Sequence, residues 1–261
     1  MMDHDKETDD RREDEIMEGE PEPEDFLTEP DAQRKKPKWW VKFGAVIISL
    51  ILIGNAGAFL LQHFSQDGRD LMNQSEQLSS QPEIEGYKES VVTIQRDQSR
   101  GTGFFYDQDG LILTNHHVAE GHGPLIVTTA NGERYQAEIV HEDAEVDLAK
   151  IRIDSEGDHP ALPLSGAGTD GEQSVYIIGN PLTHNQIAIS GEIIDNQQHY
   201  DAVRIDASIF QGHSGSPVLS EAGEVVGVVY AKSIPGFRSE EDSVGLAVPI
   251  DLVHEFLAES E

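Results

Sequence analysis

From Ser90 onward the chain consists of short apolar runs, each cut off by a turn signal. "SVVTIQ", "GTGFFY", "LILTNHHV", "LIVTTA", "YQAEIVH", "LAKIRI", "SVYIIG", "IAISGEII", "DAVRIDA", "SPVLS", "EVVGVVYAK" and "VGLAVPI" are rich in β-branched residues, and "DQDG", "ANGE", "GAGTDG", "GNPL" and "EAGE" fall between them. A dozen short strands with no long helical pattern between them predict an all-β barrel or sandwich. Only the end, "IDLVHEFLAES", places apolar residues at helical spacing: Leu252, Val253, Phe256 and Leu257. No internal repeat is visible.

The front of the chain has a different character. Residues 1–38 hold fifteen acids and seven bases with almost no large apolar side chains. Such a segment cannot bury enough surface to offset its ordering entropy, so it is expected to be a disordered acidic tail. "FGAVIISLILIGNAGAFLL", Phe43 to Leu61, then runs nineteen residues without a charge. A helix of that length rises roughly 28 Å, about the thickness of a hydrocarbon core. With Trp39 and Trp40 where an interfacial belt would sit, residues 39–61 are expected to cross a lipid bilayer once. A buried core helix would show a polar face, and "NAGAFLL" is a poor cleavage site for a signal peptide. Arg34, Lys35, Lys36, Lys38 and Lys42 precede the span while residues 62–81 carry only Arg69, which keeps the N-terminus cytoplasmic and puts the rest outside. Residues 62–81, polar and rich in Gln and Ser, read as a linker to a single domain over 82–261.

Net charge is −31, of which −23 lies after residue 38. That argues against nucleic acid or an anionic membrane surface as partners of the domain, because both would repel it. Zero cysteines exclude thiol and iron–sulfur chemistry and fit an exported domain without proving one. No H-E-x-x-H or Cys/His set accompanies His116, His117 and His122, so neither metal nor cofactor is expected.

The stretch "FQGHSGSPVL", residues 210–219, poses the chemical question: a turn, or a presented nucleophile? A hydrolase elbow of the form G-x-S-x-G fails, since its fifth position is Ser216 and the one histidine after Ser214 is His254 on the terminal helix. The order His, Asp, Ser on a β scaffold fits. "LILTNHHV" ends in two histidines, and "EVDLAKI" brings an aspartate into an apolar run. Serine near neutral pH needs a neutral imidazole to take its proton, and that imidazole needs a carboxylate to hold its tautomer. Each element alone is an ordinary structural feature; their conjunction in one β-rich domain carries the inference.

"GTGFFYDQDGLILTNHHV", "VDLAKIRI", "VYIIGNPL", "AISGEII", "RIDASIFQGHSGSPVL", "GEVVGVVYA" and "VGLAVPIDLV" resemble, in order, the segments of HtrA-type serine proteases, bacterial envelope members of the trypsin-like group. The resemblance covers roughly residues 84–258. It implies a chymotrypsin/trypsin-like pair of six-stranded β-barrels with the active site between them. It makes His117 the general base, with His116 in a variable place on the opposite face of the strand. It makes Asp147 the orienting acid ahead of Asp143, and Ser214 the nucleophile, not Ser216. The oxyanion hole would be the backbone N–H groups of Gly212, His213 and Ser214.

Two departures accompany it. His213 replaces the usual Asn of the family and sets a bulky ring where strain could spoil the oxyanion hole. Ser216 replaces a Gly, as in glutamyl endopeptidases of the same fold. The family usually continues into PDZ domains; this chain stops at Glu261, so regulation by one in the same chain is not expected. Ser208, at the base of the S1 pocket by resemblance, is not acidic, which argues against a taste for Arg or Lys. The implied preference is a small or aliphatic P1, while Lys232 on the pocket wall could instead admit an acidic one. The implied function is a membrane-anchored serine endopeptidase that cleaves unfolded or damaged extracytoplasmic proteins, with a homotrimer as the expected assembly. An inactive protease-fold binding module and a glutamyl-specific endopeptidase are the alternatives.

Overall fold

The computed structural model describes residues 68–155, 158–168, 171–181, 184–194, 202–232 and 244–260, together with Ser49 and Leu52; of Ala231 and Lys232 it describes the backbone alone. The expected acidic tail over 1–38 lies outside the described residues. So does nearly all of the expected membrane span over 39–61: Ser49 and Leu52 are helical and exposed. Among the described residues no helix is long and apolar enough to cross a membrane.

Each apolar run becomes one strand. They are β1 (Val91–Arg96), β2 (Ser99–Phe105), β3 (Leu111–Thr114), β4 (Leu125–Thr128), β5 (Arg134–Asp143) and β6 (Leu148–Ile153), then β7 (Gln173–Gly179), β8 (Ile187–Ile194), β9 (Val203–Asp206), β10 (Pro217–Ser220), β11 (Val225–Lys232) and β12 (Gly245–Pro249). The first six close into a barrel in the order β1-β2-β3-β6-β5-β4. The second six close into another in the equivalent order β7-β8-β9-β12-β11-β10. The expected double six-stranded barrel is what the chain forms.

Alternation along each strand divides the apolar residues between three cores. Val92, Ile94, Phe105, Ile112, Val127 and Ile151 fill the first barrel. Val175, Ile177, Ile189, Ile205, Val218 and Val229 fill the second. Phe104, Leu113, Leu148, Ile178, Leu219 and Val228 face outward into a third cluster that joins the barrels. Burial on both faces explains why "VVTI" and "YIIG" read as continuous hydrophobic runs instead of alternating ones.

Among the described residues from 68 onward, the helices that accompany the barrels are α1 over residues 68–79, α2 (Pro82–Glu89), α3 (His116–Ala119) and α4 (Ile250–Glu259). Where the sequence predicts a linker over 62–81, α1 is a docked helix. Its Leu71 joins the second barrel's core, and Ser75 Oγ accepts the amide of Ala188 at 3.1 Å. One buried or half-buried leucine every two turns, Leu71 and then Leu78, is too sparse to show as a helical period in a Gln/Ser-rich stretch. Helix α3 corrects a second expectation. The strand ends at Thr114, and His116 and His117 lie on a single helical turn, so it is that turn and not strand alternation that sends their rings apart. Helix α4 forms as its spacing predicts and buries Ile250, Val253 and Phe256 in the inter-barrel cluster.

Candidate active site

The first barrel contributes a histidine and a carboxylate. After β3, Asn115 opens α3, and its Nδ2 donates to the carbonyl of Asp147 at 2.9 Å. Asp147 sits at the entry to β6 with a left-handed backbone, φ +56°. That conformation is uncommon for a residue with a side chain, and here it turns the carboxylate back towards α3. His117 Nδ1 lies 3.0 and 2.8 Å from the two oxygens of Asp147, and the His117 amide donates to Oδ1 at 3.0 Å. Two donors from one residue on one carboxylate fix both the ring's orientation and its tautomer: the proton is on Nδ1, and Nε2 is left with a lone pair. The imidazole is 44 % exposed and the carboxylate 25 %, so the pair is open to a reactant on one side. An imidazole held in this way can take a proton at Nε2 and carry the resulting charge against the carboxylate.

Its neighbours are otherwise engaged. His116 Nδ1 pairs with Glu142 at 3.1 Å, away from Asp147. Asp143 spends its carboxylate on its own turn, accepting the amide of Glu145 at 2.7 Å. His254, set aside on chain order, places Nε2 2.7 Å from the carbonyl of Ser165. Tyr230, on β11, lines a cavity of about 530 Å³ together with Asp147, Val146 and Leu252. Burial, and then the negative charge of Asp147, push its phenol above its ordinary pKa.

The second barrel contributes the loop before β10, and the first barrel holds that loop in place. Thr102 on β2 donates its amide to the carbonyl of Ser214 at 2.8 Å and its hydroxyl to the carbonyl of Gly212 at 2.7 Å. The same hydroxyl accepts the amide of Asn180 at 2.9 Å, and Asn180 Nδ2 in turn donates to Val92 at 2.8 Å. Thr114 Oγ1 donates to the Thr102 carbonyl at 2.7 Å, which completes a buried polar lattice between the barrels. Gly101 sets the spacing next to it. A Cβ there would stand 2.6 Å from Val118, the residue after His117, and 3.1 Å from the carbonyl of Ser214. The serine loop and the histidine helix therefore flank the same glycine.

Within the loop the amides are sorted. His213 N–H donates to Phe210, Gly215 N–H to Val229 and Ser216 N–H to His213, at 3.1, 2.7 and 2.9 Å. The expected His213 donor is therefore spent within the loop, whereas the amides of Gly212 and Ser214 donate to no group among the described residues. Gly212 has φ +102° and Gly215 φ +84°, and a Cβ on Gly215 would lie 1.9 Å from the Thr102 carbonyl. Both positions favour glycine on backbone grounds, and Gly215 on steric grounds as well. Two unused donors flanking His213 form the kind of arrangement that can receive a developing oxyanion. Ser214 is half-buried, and its hydroxyl makes no hydrogen bond among the described residues. Ser216 is fully buried, and its hydroxyl has no partner either.

The two S1 candidates are less informative. Ser208 is exposed on the segment after β9. Lys232 closes β11 opposite Gly245, and its side chain lies outside the described residues. Ile209, beside Ser208, is buried, and a Cβ on Gly245 would stand 2.7 Å from its Cγ1. Thr102, Thr114 and Asn180 are the residues that sequence reasoning missed. No local signal marks them: Asn180 lies in the turn signal "GNPL", and nothing in the strand runs around Thr102 and Thr114 announces a bond between barrels.

The family described as the trypsin-like peptidase domain matches residues 101–228. The probable periplasmic serine endoprotease DegP-like of Chlamydia trachomatis is 36 % identical over 180 residues, covering 64 % of this chain and 34 % of that protein. Human serine protease HTRA4 is 33 % identical over 171 residues, covering 61 % of this chain and 34 % of that protein. The chain thus spans about a third of the length of these curated relatives. Among solved structures, the serine endoprotease from Yersinia pestis superposes with a TM-score of 0.61 at 27 % identity, over 68 % of this chain and 65 % of that one.

Proposed function

We propose that this chain is an HtrA-type, trypsin-like serine endopeptidase working through His117, Asp147 and Ser214. Ser214 Oγ attacks the scissile carbonyl while His117 Nε2 takes its proton. Asp147 holds the ring and offsets its charge, and the amides of Gly212 and Ser214 receive the oxyanion. His117 then returns the proton to the leaving amine, and water repeats the cycle on the acyl-enzyme. The observation that carries the reading is the doubly bonded His117–Asp147 pair, on a helix that shares Gly101 with a serine loop whose Gly212 and Ser214 amides are unused among the described residues.

The substrates are unfolded or extended polypeptides, which can lie along a cleft as an added strand. P1 is small or aliphatic: Ile209 is packed over Gly245, and no acid stands at Ser208. Residues 39–61 anchor the chain in a lipid bilayer with the N-terminus cytoplasmic and the protease domain outside. That placement rests on the charge-free run from Phe43 to Leu61 and its basic N-terminal flank. It also fits the periplasmic designation of the chlamydial relative. A homotrimer is the proposed assembly. The test is digestion of fluorescein-labelled casein by the full-length protein in detergent. Wild type should degrade it and Ser214→Ala should not; equal activity in both would overturn the reading.

A further inference from the structure

His213 stands where the resembled family carries Asn, and its ring is turned into the interior of the serine loop. It is 0 % exposed. Its Nε2 has no hydrogen-bond partner among the described residues, so all the polar work of the ring is done at Nδ1. There the amide of Phe210 donates to Nδ1 at 3.1 Å. The Phe210 carbonyl lies 3.2 Å from the same nitrogen and also accepts the His213 amide at 3.1 Å. The two residues are therefore joined reciprocally, amide to ring and amide to carbonyl, across a tight turn. Gly212, φ +102°, lies inside that turn, and its amide is one of the two left unused.

For Nδ1 to accept, it must be unprotonated, and the single ring proton must sit on Nε2. The surroundings agree with a neutral ring. The groups on its face are the glycine at 179, whose added Cβ would touch His213 Cδ2 at 2.9 Å and Ser216 Oγ, together with the tilted ring of Phe210. None of these is charged. Burial pushes the imidazole down to about 4, with the Phe210 carbonyl opposing that shift.

We propose that His213 is a positioning residue for the oxyanion loop. As the neutral Nε2–H tautomer it accepts the Phe210 amide at Nδ1, and so closes the turn that leaves the Gly212 and Ser214 amides available to substrate. This rests on the triad reading above. It follows that any side chain offering an acceptor at the place of Nδ1 can serve, as the oxygen of Asn can, and an apolar one cannot. The bulk that threatened to strain the loop then acts instead as its internal brace.

The test compares wild type, His213→Asn, His213→Leu and Ser214→Ala as full-length proteins, with labelled casein as substrate and thermal melting as the check on folding. His213→Leu should lose on the order of 100-fold in kcat with KM changed less than about 3-fold, the signature of a lost transition-state donor. His213→Asn should recover to within about 5-fold of wild type. Full activity in His213→Leu, or equal damage in Leu and Asn, overturns the proposal while leaving the triad intact. Full activity in Ser214→Ala overturns the triad reading itself. Should His213→Leu fail to fold, ¹⁵N spectra of the wild-type histidine rings decide. The His213 signals, assigned by their loss in His213→Asn, should show Nδ1 unprotonated and Nε2 protonated from pH 5 to 8. A protonated Nδ1 in that range overturns the proposal.

Discussion

Thr102 and Ser214 are joined across the two barrels by a 2.8 Å hydrogen bond from the threonine amide to the serine carbonyl, and the threonine hydroxyl reaches Gly212 in the same loop. The serine loop belongs to the second barrel by sequence, but its position is set by a strand of the first. The proposed catalytic geometry thus depends on the register between two separately closed sheets, held by a handful of buried polar atoms.

Thr102→Val keeps the shape and removes the hydroxyl. The Gly212 carbonyl and Asn180 amide would lose their partner in a buried site, which costs about 1–3 kcal/mol for each unsatisfied group. Urea denaturation should show a loss of about 2–6 kcal/mol, and casein hydrolysis should fall as well. Thr102→Ser should be near wild type in both.

Asp147→Asn retains the outline of the orienting group but lets the His117 ring adopt the wrong tautomer. A fall of roughly 10³–10⁴ in kcat is expected, with little change in KM. His116→Ala, which removes only the exposed pairing with Glu142, should leave kcat within about 2-fold. Steady-state kinetics on the two variants separates the histidines.

His213 makes stability depend on pH. Its folded pKa lies below its unfolded value, so between about 6.5 and about 4 the unfolded chain binds the proton that the folded chain refuses. The contribution is complete above the unfolded pKa and is lost as the pH falls through the folded one. Chemical denaturation of wild type should weaken from pH 7 to pH 4 by on the order of 3 kcal/mol from this residue. His213→Asn should show a shallower slope over the same window.

Twelve strands and α4 were legible in the sequence because burial on two faces leaves long β-branched runs and the terminal helix leaves a clear period. The triad candidates were legible through their chain order and local patterns, with Ser214 singled out from Ser216 and His117 from His116 by resemblance. The Asp147 left-handed turn left no trace, since nothing in "EVDLAK" marks a positive φ. Thr102 and Asn180 were hidden for another reason. Their partners lie 110 and 88 residues away, in Gly212 and Val92, and no local pattern encodes a bond across two barrels. Helix α1 was missed because its buried face is one leucine and one serine wide.

That helix yields a further prediction. Leu71 is 3 % exposed and packs into the second barrel, and Ser75 Oγ takes the Ala188 amide. Leu71→Ala should cost about 2–4 kcal/mol, and it should open the 68–79 segment to limited proteolysis that leaves wild type uncut there. A wild type cleaved there as readily as the variant would restore the linker reading.

The proposed chemistry is tested most directly by treating the folded full-length protein with a fluorophosphonate and mapping the adduct by mass spectrometry. The triad predicts a single adduct on Ser214, absent in Ser214→Ala and formed at least about 10³-fold more slowly in His117→Ala. A folded wild type that does not react, or an adduct on Ser216 in place of Ser214, would contradict it.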